Sequence, residues 1–108
     1  MKYSMFVGKW QPFHEGHRWL IEERLKLKKN ILIGIREIEN PSYSPSEIKM
    51  QVSKLYPNEV KDGKIKFIEI PDIESINDGR DVGYDVIEHK PPERIKEISG
   101  TKIRAENG

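Results

Sequence analysis

An α/β sandwich, with a parallel sheet flanked by helices, is the fold that this 108-residue sequence predicts. Short β-branched or aromatic runs alternate with stretches of helical periodicity, the order expected when strands and helices follow one another along a chain. The run from Asn30 to Ile35 is almost continuously apolar, as strands of parallel sheets are. The length suits a single domain over residues 1–108, with no internal repeat or low-complexity linker.

Each element has its own signal. Tyr3 to Val7 is an apolar run that stops at Gly8, and reads as the first strand. An amphipathic stretch follows from about His17 to Lys28, with Trp19, Leu20, Ile21 and Leu25 apolar. Glu22 and Lys26 stand at i, i+4 on its polar side, an orientation that favours an ion pair. Trp19 is expected in the core, and Lys26 to Lys29 on a solvated helix end. Asn30 to Ile35 is the second strand. Ser44-Pro45-Ser46-Glu47 then sets a hydroxyl at the N-cap, proline at N1 and glutamate at N3, the elements of a capping box. Ile48, Val52 and Leu55 continue that helix, and Pro57-Asn58 is read as its end. Lys64 to Ile70 is a third strand closed by Pro71, and Tyr84 to Glu88 a fourth apolar run after a glycine-bounded turn. A short helix is expected after Ile98. The elements sum to a small Rossmann-like sandwich whose sheet has four or five strands.

Composition removes several function classes. Nineteen basic residues stand against 18 acidic ones, a balance that argues against a dedicated nucleic-acid binder. There is no cysteine, hence no disulfide framework and no thiolate metal site. No apolar run approaches the roughly 20 residues that span a bilayer, and the first residues do not form a signal peptide. A soluble, cytoplasmic protein is the expectation, with no membrane or nucleic-acid partner.

Ligands of such sheets bind beyond the carboxyl ends of the strands, so the segment after the first strand is where chemistry is sought. It reads Gly8-Lys9-Trp10-Gln11-Pro12-Phe13-His14-Glu15-Gly16-His17. Two imidazoles lie three residues apart around a glycine at a helix N-terminus, where backbone N–H groups and the positive helix end favour anions. Gly16 would let a phosphate approach the backbone, imidazoles can donate hydrogen bonds to phosphate oxygens, and Lys9 adds a cation. Two histidines at this spacing also suit metal ligation, though no third ligand is evident, or ordinary helix-start roles. Trp10 can either pack beside this loop or line the ligand.

These residues resemble the signature of the H-x-G-H nucleotidyltransferase superfamily, which includes nicotinamide-mononucleotide and pantetheine-phosphate adenylyltransferases and glycerol-3-phosphate cytidylyltransferases. A second segment, Ile98-Ser99-Gly100-Thr101-Lys102-Ile103-Arg104, is similar to the family's I-S-x-T-x-I-R element. The resemblance implies transfer of a nucleoside monophosphate from an NTP to a small phosphorylated acceptor, with release of pyrophosphate. It implies that His14 and His17 contact the α- and β-phosphates, and that Ser99 and Thr101 hold the outer ones. Lys9, Lys102 and Arg104 would be triphosphate cations, and Gly8, Trp10 and Gly16 part of the nucleotide site. Mg²⁺ would bridge NTP phosphates rather than sit in a protein cage, so no metal-ligating side chain is assigned.

The chain also departs from the pattern. Residues 72–97 leave little room for a further helix and two strands, so part of the acceptor pocket is either missing or completed by the partner of a homodimer. In many relatives an arginine follows the glutamate near the start of the second helix, where this chain has Ile48. Gln11-Pro12-Phe13-His14 is spelled as in the adenylyltransferases, whereas Arg94 stands where cytidylyltransferases carry an arginine that contacts cytosine. Adenylyl transfer is favoured on the longer match, a CTP-dependent cytidylyltransferase is the alternative, and a nucleotide-binding module without catalysis is a third reading. Arg80, in the turn from Gly79 to Gly83, is a candidate contact for base or ribose. Asn40 to Tyr43 reads as a loop, or as a flap over the acceptor, and His89 as a loop residue.

Overall fold

A computed structural model describes residues 2–77 and 85–96, with residues 94 and 96 described by their backbone alone. The order of elements is β1 (Tyr3–Gly8), α1 (Glu15–Leu25), β2 (Asn30–Arg36), α2 (Pro45–Leu55), α3 (Pro57–Lys61), β3 (Ile65–Ile70) and α4 (Glu93–Lys96). The three strands form one parallel sheet in the order β1-β2-β3. Gly8 pairs with Ile35, and Ile35 with Glu69, so the carboxyl ends of all three strands lie side by side.

The parallel α/β arrangement is the one expected, on three strands among the described residues rather than four or five. Of the expected fourth run, Asp85–Glu88 is irregular and exposed, and Tyr84 lies outside the described residues. The turn from Gly79 to Gly83 and the helix after Ile98 also lie outside them. α4 is an element for which no helix was expected.

Alternation along the strands decides which face holds the core. Ile31, Ile33 and Ile35 of β2 and Ile65 of β3 are almost wholly buried, and Ile21 of α1 and Ile48, Val52 and Tyr56 of α2 or its end pack with them. Burying an isoleucine side chain contributes roughly 1.5–3 kcal/mol, so this one layer carries much of the stability. The opposite face bears Met5, Gly34, Lys66 and Ile68; Met5 is 50% and Ile68 44% exposed. At one end of that face Tyr3 donates to the Gly63 carbonyl (3.0 Å), and Lys66 reaches over the Tyr3 ring, 5.5 Å from its centroid.

Several local expectations hold and several change. α2 begins with the Ser44 box as read: Glu47 N–H donates to Ser44 Oγ at 3.2 Å, and Ser44 N–H to Glu47 Oε1 at 3.0 Å. α2 ends at Leu55, just ahead of Pro57, as expected; Pro57 also starts α3, because proline at N1 has no N–H to leave unpaired. The Glu22–Lys26 pair does not form. Arg18 approaches Glu22 at 3.8 Å, and Lys26 takes Glu23 at 2.7 Å. Trp19 is half-exposed rather than core, and meets His89 edge-on at 6.4 Å. No helix of the described residues is long and apolar enough to cross a membrane.

Candidate active site

The loop between Gly8 and Glu15 lies where β1 delivers it, at the carboxyl edge of the sheet and the N-terminus of α1. Trp10 has a φ of 56°, a left-handed conformation that is unfavourable for an aromatic residue. Two contacts hold it there. The indole packs on Gly8, where a Cβ would stand 3.1 Å from Cε2, and Nε1–H donates to the Gly34 carbonyl of β2 at 3.0 Å. Trp10 is 3% exposed, so it belongs to the packing that supports the loop and does not line an open surface.

His14 is the N-cap of α1 and His17 its N3 residue, and the two form a reciprocal box. Gly16 N–H donates to His14 Nδ1 at 3.0 Å, and His14 N–H donates to His17 Nδ1 at 3.2 Å. Serine, threonine or aspartate normally fills this capping role; here two imidazoles do. The hydrogen-bond network assigns the tautomer, since a neutral ring that accepts at Nδ1 carries its proton at Nε2. Each ring therefore keeps its one N–H donor, at Nε2, free of the capping bonds that Nδ1 accepts.

The rings stack at 3.7 Å between centroids with a 17° tilt, and Trp10 meets His17 edge-on at 4.6 Å. Phe13 closes the far side at 5.6 Å. This dry aromatic setting controls protonation. Burial, then the neighbouring His14 charge, pushes the His17 pKa down to about 3. Burial also lowers that of His14. Both rings are neutral hydrogen-bond donors near pH 7.

Gly16 also answers to a contact within the loop itself. A Cβ there would stand 2.9 Å from His14 Cε1 and 3.1 Å from Nδ1. The absent side chain makes room for the capping imidazole. Lys9 is exposed at the rim of the loop. Ile95 of α4 is buried and lies 3.8 Å from that same Cβ position, which brings α4, and the backbone of Arg94, to the start of α1. Arg80, Ser99, Thr101, Lys102 and Arg104 lie outside the described residues.

Two clefts flank the loop. One, of about 440 Å³, opens at the ends of β2 and β3 between Gln11, Arg36, Tyr43, Ile48 and Ile70. Arg36 brings a guanidinium to it and faces Asp72 at 3.4 Å. Its Nε is buried and has no aligned hydrogen bond. Ile48, which stands where the resemblance implies an arginine, is fully buried in the wall. The other cleft, of about 480 Å³, runs past His14, Arg18, Trp19 and Ile95. Among the described residues, no three His, Asp or Glu side chains gather as a metal site.

Sequence reasoning missed the side chains that hold the loop. Gln11, 7% exposed, donates to the carbonyls of Lys9 (3.1 Å) and Tyr43 (2.9 Å) and accepts Tyr43 N–H (2.8 Å). Gln51 Oε1 accepts Phe13 N–H at 3.1 Å. Tyr43 is thus tied down within the Asn40–Tyr43 loop. One signal was readable: Gln51 falls three residues after Ile48, a polar residue on an otherwise apolar helical stripe.

No protein-family model matches the chain, and no solved structure matches it significantly. Curated proteins do match it, and two of them are nicotinamide-nucleotide adenylyltransferases. A nicotinamide-nucleotide adenylyltransferase of Methanococcus aeolicus is 27% identical over 129 residues, covering 94% of this chain and 74% of that protein. A nicotinamide-nucleotide adenylyltransferase of Thermococcus sibiricus is 28% identical over 76 residues, covering 65% of this chain and 41% of that protein. The first alignment is longer than this 108-residue chain, so the relative carries residues within it that this chain lacks. Similarity to these two relatives supports a nucleotidyltransferase enzyme.

Proposed function

We propose that this chain transfers AMP from ATP to a small phosphorylated acceptor of the nicotinamide-mononucleotide kind, releasing pyrophosphate. The observation that carries the reading is the pair of neutral imidazoles at the start of α1, each with Nδ1 committed to a backbone N–H and Nε2–H left to donate. The names of the two relatives supply the direction: adenylyl rather than cytidylyl transfer, and a nicotinamide nucleotide as acceptor.

In this reading an oxygen of the acceptor phosphate attacks the α-phosphorus of ATP. The bond to the bridging oxygen breaks and pyrophosphate leaves, with no covalent enzyme intermediate. His14 and His17 donate Nε2–H to phosphate oxygens whose charge grows in the transition state. A bound polyanion raises the proton affinity of both rings and strengthens those bonds. Lys9 adds a cation at the loop, and the α1 N-terminus favours the same charge. Ser99 and Thr101 would hold the outer phosphates, Lys102 and Arg104 would add triphosphate cations, and Arg80 would lie toward base or ribose, whereas a base contact by Arg94 belongs to the cytidylyl alternative. The full Rossmann-like sheet of four or five strands belongs to the same proposal. Mg²⁺, carried on the triphosphate oxygens, supplies charge neutralisation and needs no protein cage.

The test is pyrophosphate release with ATP, Mg²⁺ and nicotinamide mononucleotide, together with detection of the dinucleotide. His17→Ala should lower kcat by about 10² or more, the loss typical of an oxyanion-type donor. A wild-type chain that binds ATP but releases no pyrophosphate with this acceptor would refute the assignment.

A further inference from the structure

The loop that carries His14 is tied to α2 in both directions. Gln11 reaches from the loop to grip Tyr43 at both its N–H and its carbonyl, just ahead of the α2 cap. Gln51 reaches back from the second turn of α2 to take the N–H of Phe13. Phe13 precedes the N-cap, so α1 offers this N–H no intrahelical carbonyl. Phe13 itself is buried, where an unpaired amide is costly. The next peptide N–H, that of His14, donates to His17 Nδ1. Consecutive main-chain donors at residues 13 and 14 are thus held by Gln51 and His17; the first fixes the Pro12–Phe13 peptide, one residue ahead of the peptide that leads into His14.

We propose that Gln51 is a positioning residue for the histidine pair: by fixing the Phe13 N–H it aims His14, and with Gln11 it couples that aim to the Tyr43 side of the β2–β3 cleft. The inference rests on the adenylyl-transfer reading of the site. A group that positions a phosphate donor must hold it to well under 1 Å, since a misplacement of that size can cost about a hundredfold in rate. Gln51 touches no reacting atom in this scheme, so its loss falls on kcat through His14 and leaves ground-state ATP contacts in place.

The experiment compares the full-length wild type with Gln51→Leu, which keeps bulk but cannot accept, and Gln51→Glu, which keeps an acceptor oxygen. Steady-state rates with ATP and nicotinamide mononucleotide are read beside NMR of the Phe13 amide and of the His14 ring nitrogens. The expected result for Gln51→Leu is a kcat lowered about tenfold to a hundredfold with KM for ATP changed less than about threefold. Its Phe13 amide should lose protection from exchange and its His14 ring signals should shift; Gln51→Glu should restore the protection and most of kcat. A wild-type kcat in Gln51→Leu overturns the proposal, as does a loss that Gln51→Glu fails to repair while Phe13 stays protected. If the wild type itself turns over no substrate, the adenylyl-transfer reading fails separately. The NMR signals then decide the positioning role, which is overturned if Gln51→Leu leaves Phe13 and His14 unchanged.

Discussion

Acidification should loosen the start of α1, and His17 sets the size of the effect. Its pKa is about 3 in the folded chain against an ordinary 6.5. Between those values the unfolded state binds more protons than the folded one, so stability falls as pH drops. Above about pH 6.5 the ring is neutral in both states and its contribution is fully present. Each pH unit below that removes up to about 1.4 kcal/mol, which gives a ceiling of about 2 kcal/mol near pH 5. Fraying of the first turn would let the ring protonate without global unfolding, so the measured loss falls between about 1 kcal/mol and that ceiling. His17→Asn isolates the effect, because Asn Oδ1 can accept the His14 N–H in place of Nδ1 but does not titrate. His14 is also lowered by burial and stays in both proteins, and the part of its titration that is coupled to the stacked His17 belongs to the same effect. Urea unfolding of the two proteins from about pH 7.5 to about pH 5 avoids most carboxylate titration. The stability difference, wild type minus variant, should stay flat above about pH 6.5 and then shrink by about 1–2 kcal/mol. A difference constant to within about 0.5 kcal/mol across the range would refute the buried, neutral His17.

Gly16→Ala should separate stability from activity. Its methyl collides with the His14 ring and removes the Gly16 N–H to Nδ1 bond, a cap loss of about 1 kcal/mol, while alanine in a helix returns about as much. A melting temperature near wild type with a clearly lowered kcat is the expected pair of readings, and a fully active variant would count against the capping role of His14. Ser44→Ala should cost about 1 kcal/mol through the α2 box, seen as a lower urea midpoint at unchanged slope.

What could be read from the sequence was what short segments decide among themselves. The Ser44-Pro45-Ser46-Glu47 cap is a contact within four residues, and it formed as written. The three strands each declared themselves by an apolar run within one or two residues of their true bounds. Pro57 shows how local grammar stays incomplete, since proline can follow one helix and also open the next, and here it does both: α2 stops before it as expected, and α3 begins at it. Asp85–Glu88 carries strand-like residues, but a parallel strand needs a neighbour far away in the chain, and that partnership is not written locally. Trp19 sits among Leu20 and Ile21, and only the three-dimensional course of the chain decides that Ile21 faces the sheet. In the site, the histidines and glycines were found by pattern, whereas the amides that brace them were not. Gln51 and Phe13 stand 38 residues apart, and nothing in either segment names the other.

The sheet face that carries Met5 and Ile68 bears on how this protein should be handled at the bench. Exposed apolar side chains on a rigid, native surface bind the same environment-sensitive dyes that are used to detect loosely packed states. For this chain, dye fluorescence at room temperature would therefore report an ordered β-surface rather than a failing fold. Melting followed by such dyes starts from a raised baseline and gives a blunted transition. Intrinsic emission of Trp10, sealed against Gly8 and Gly34, is the cleaner reporter of the folded state, although half-exposed Trp19 emits alongside it.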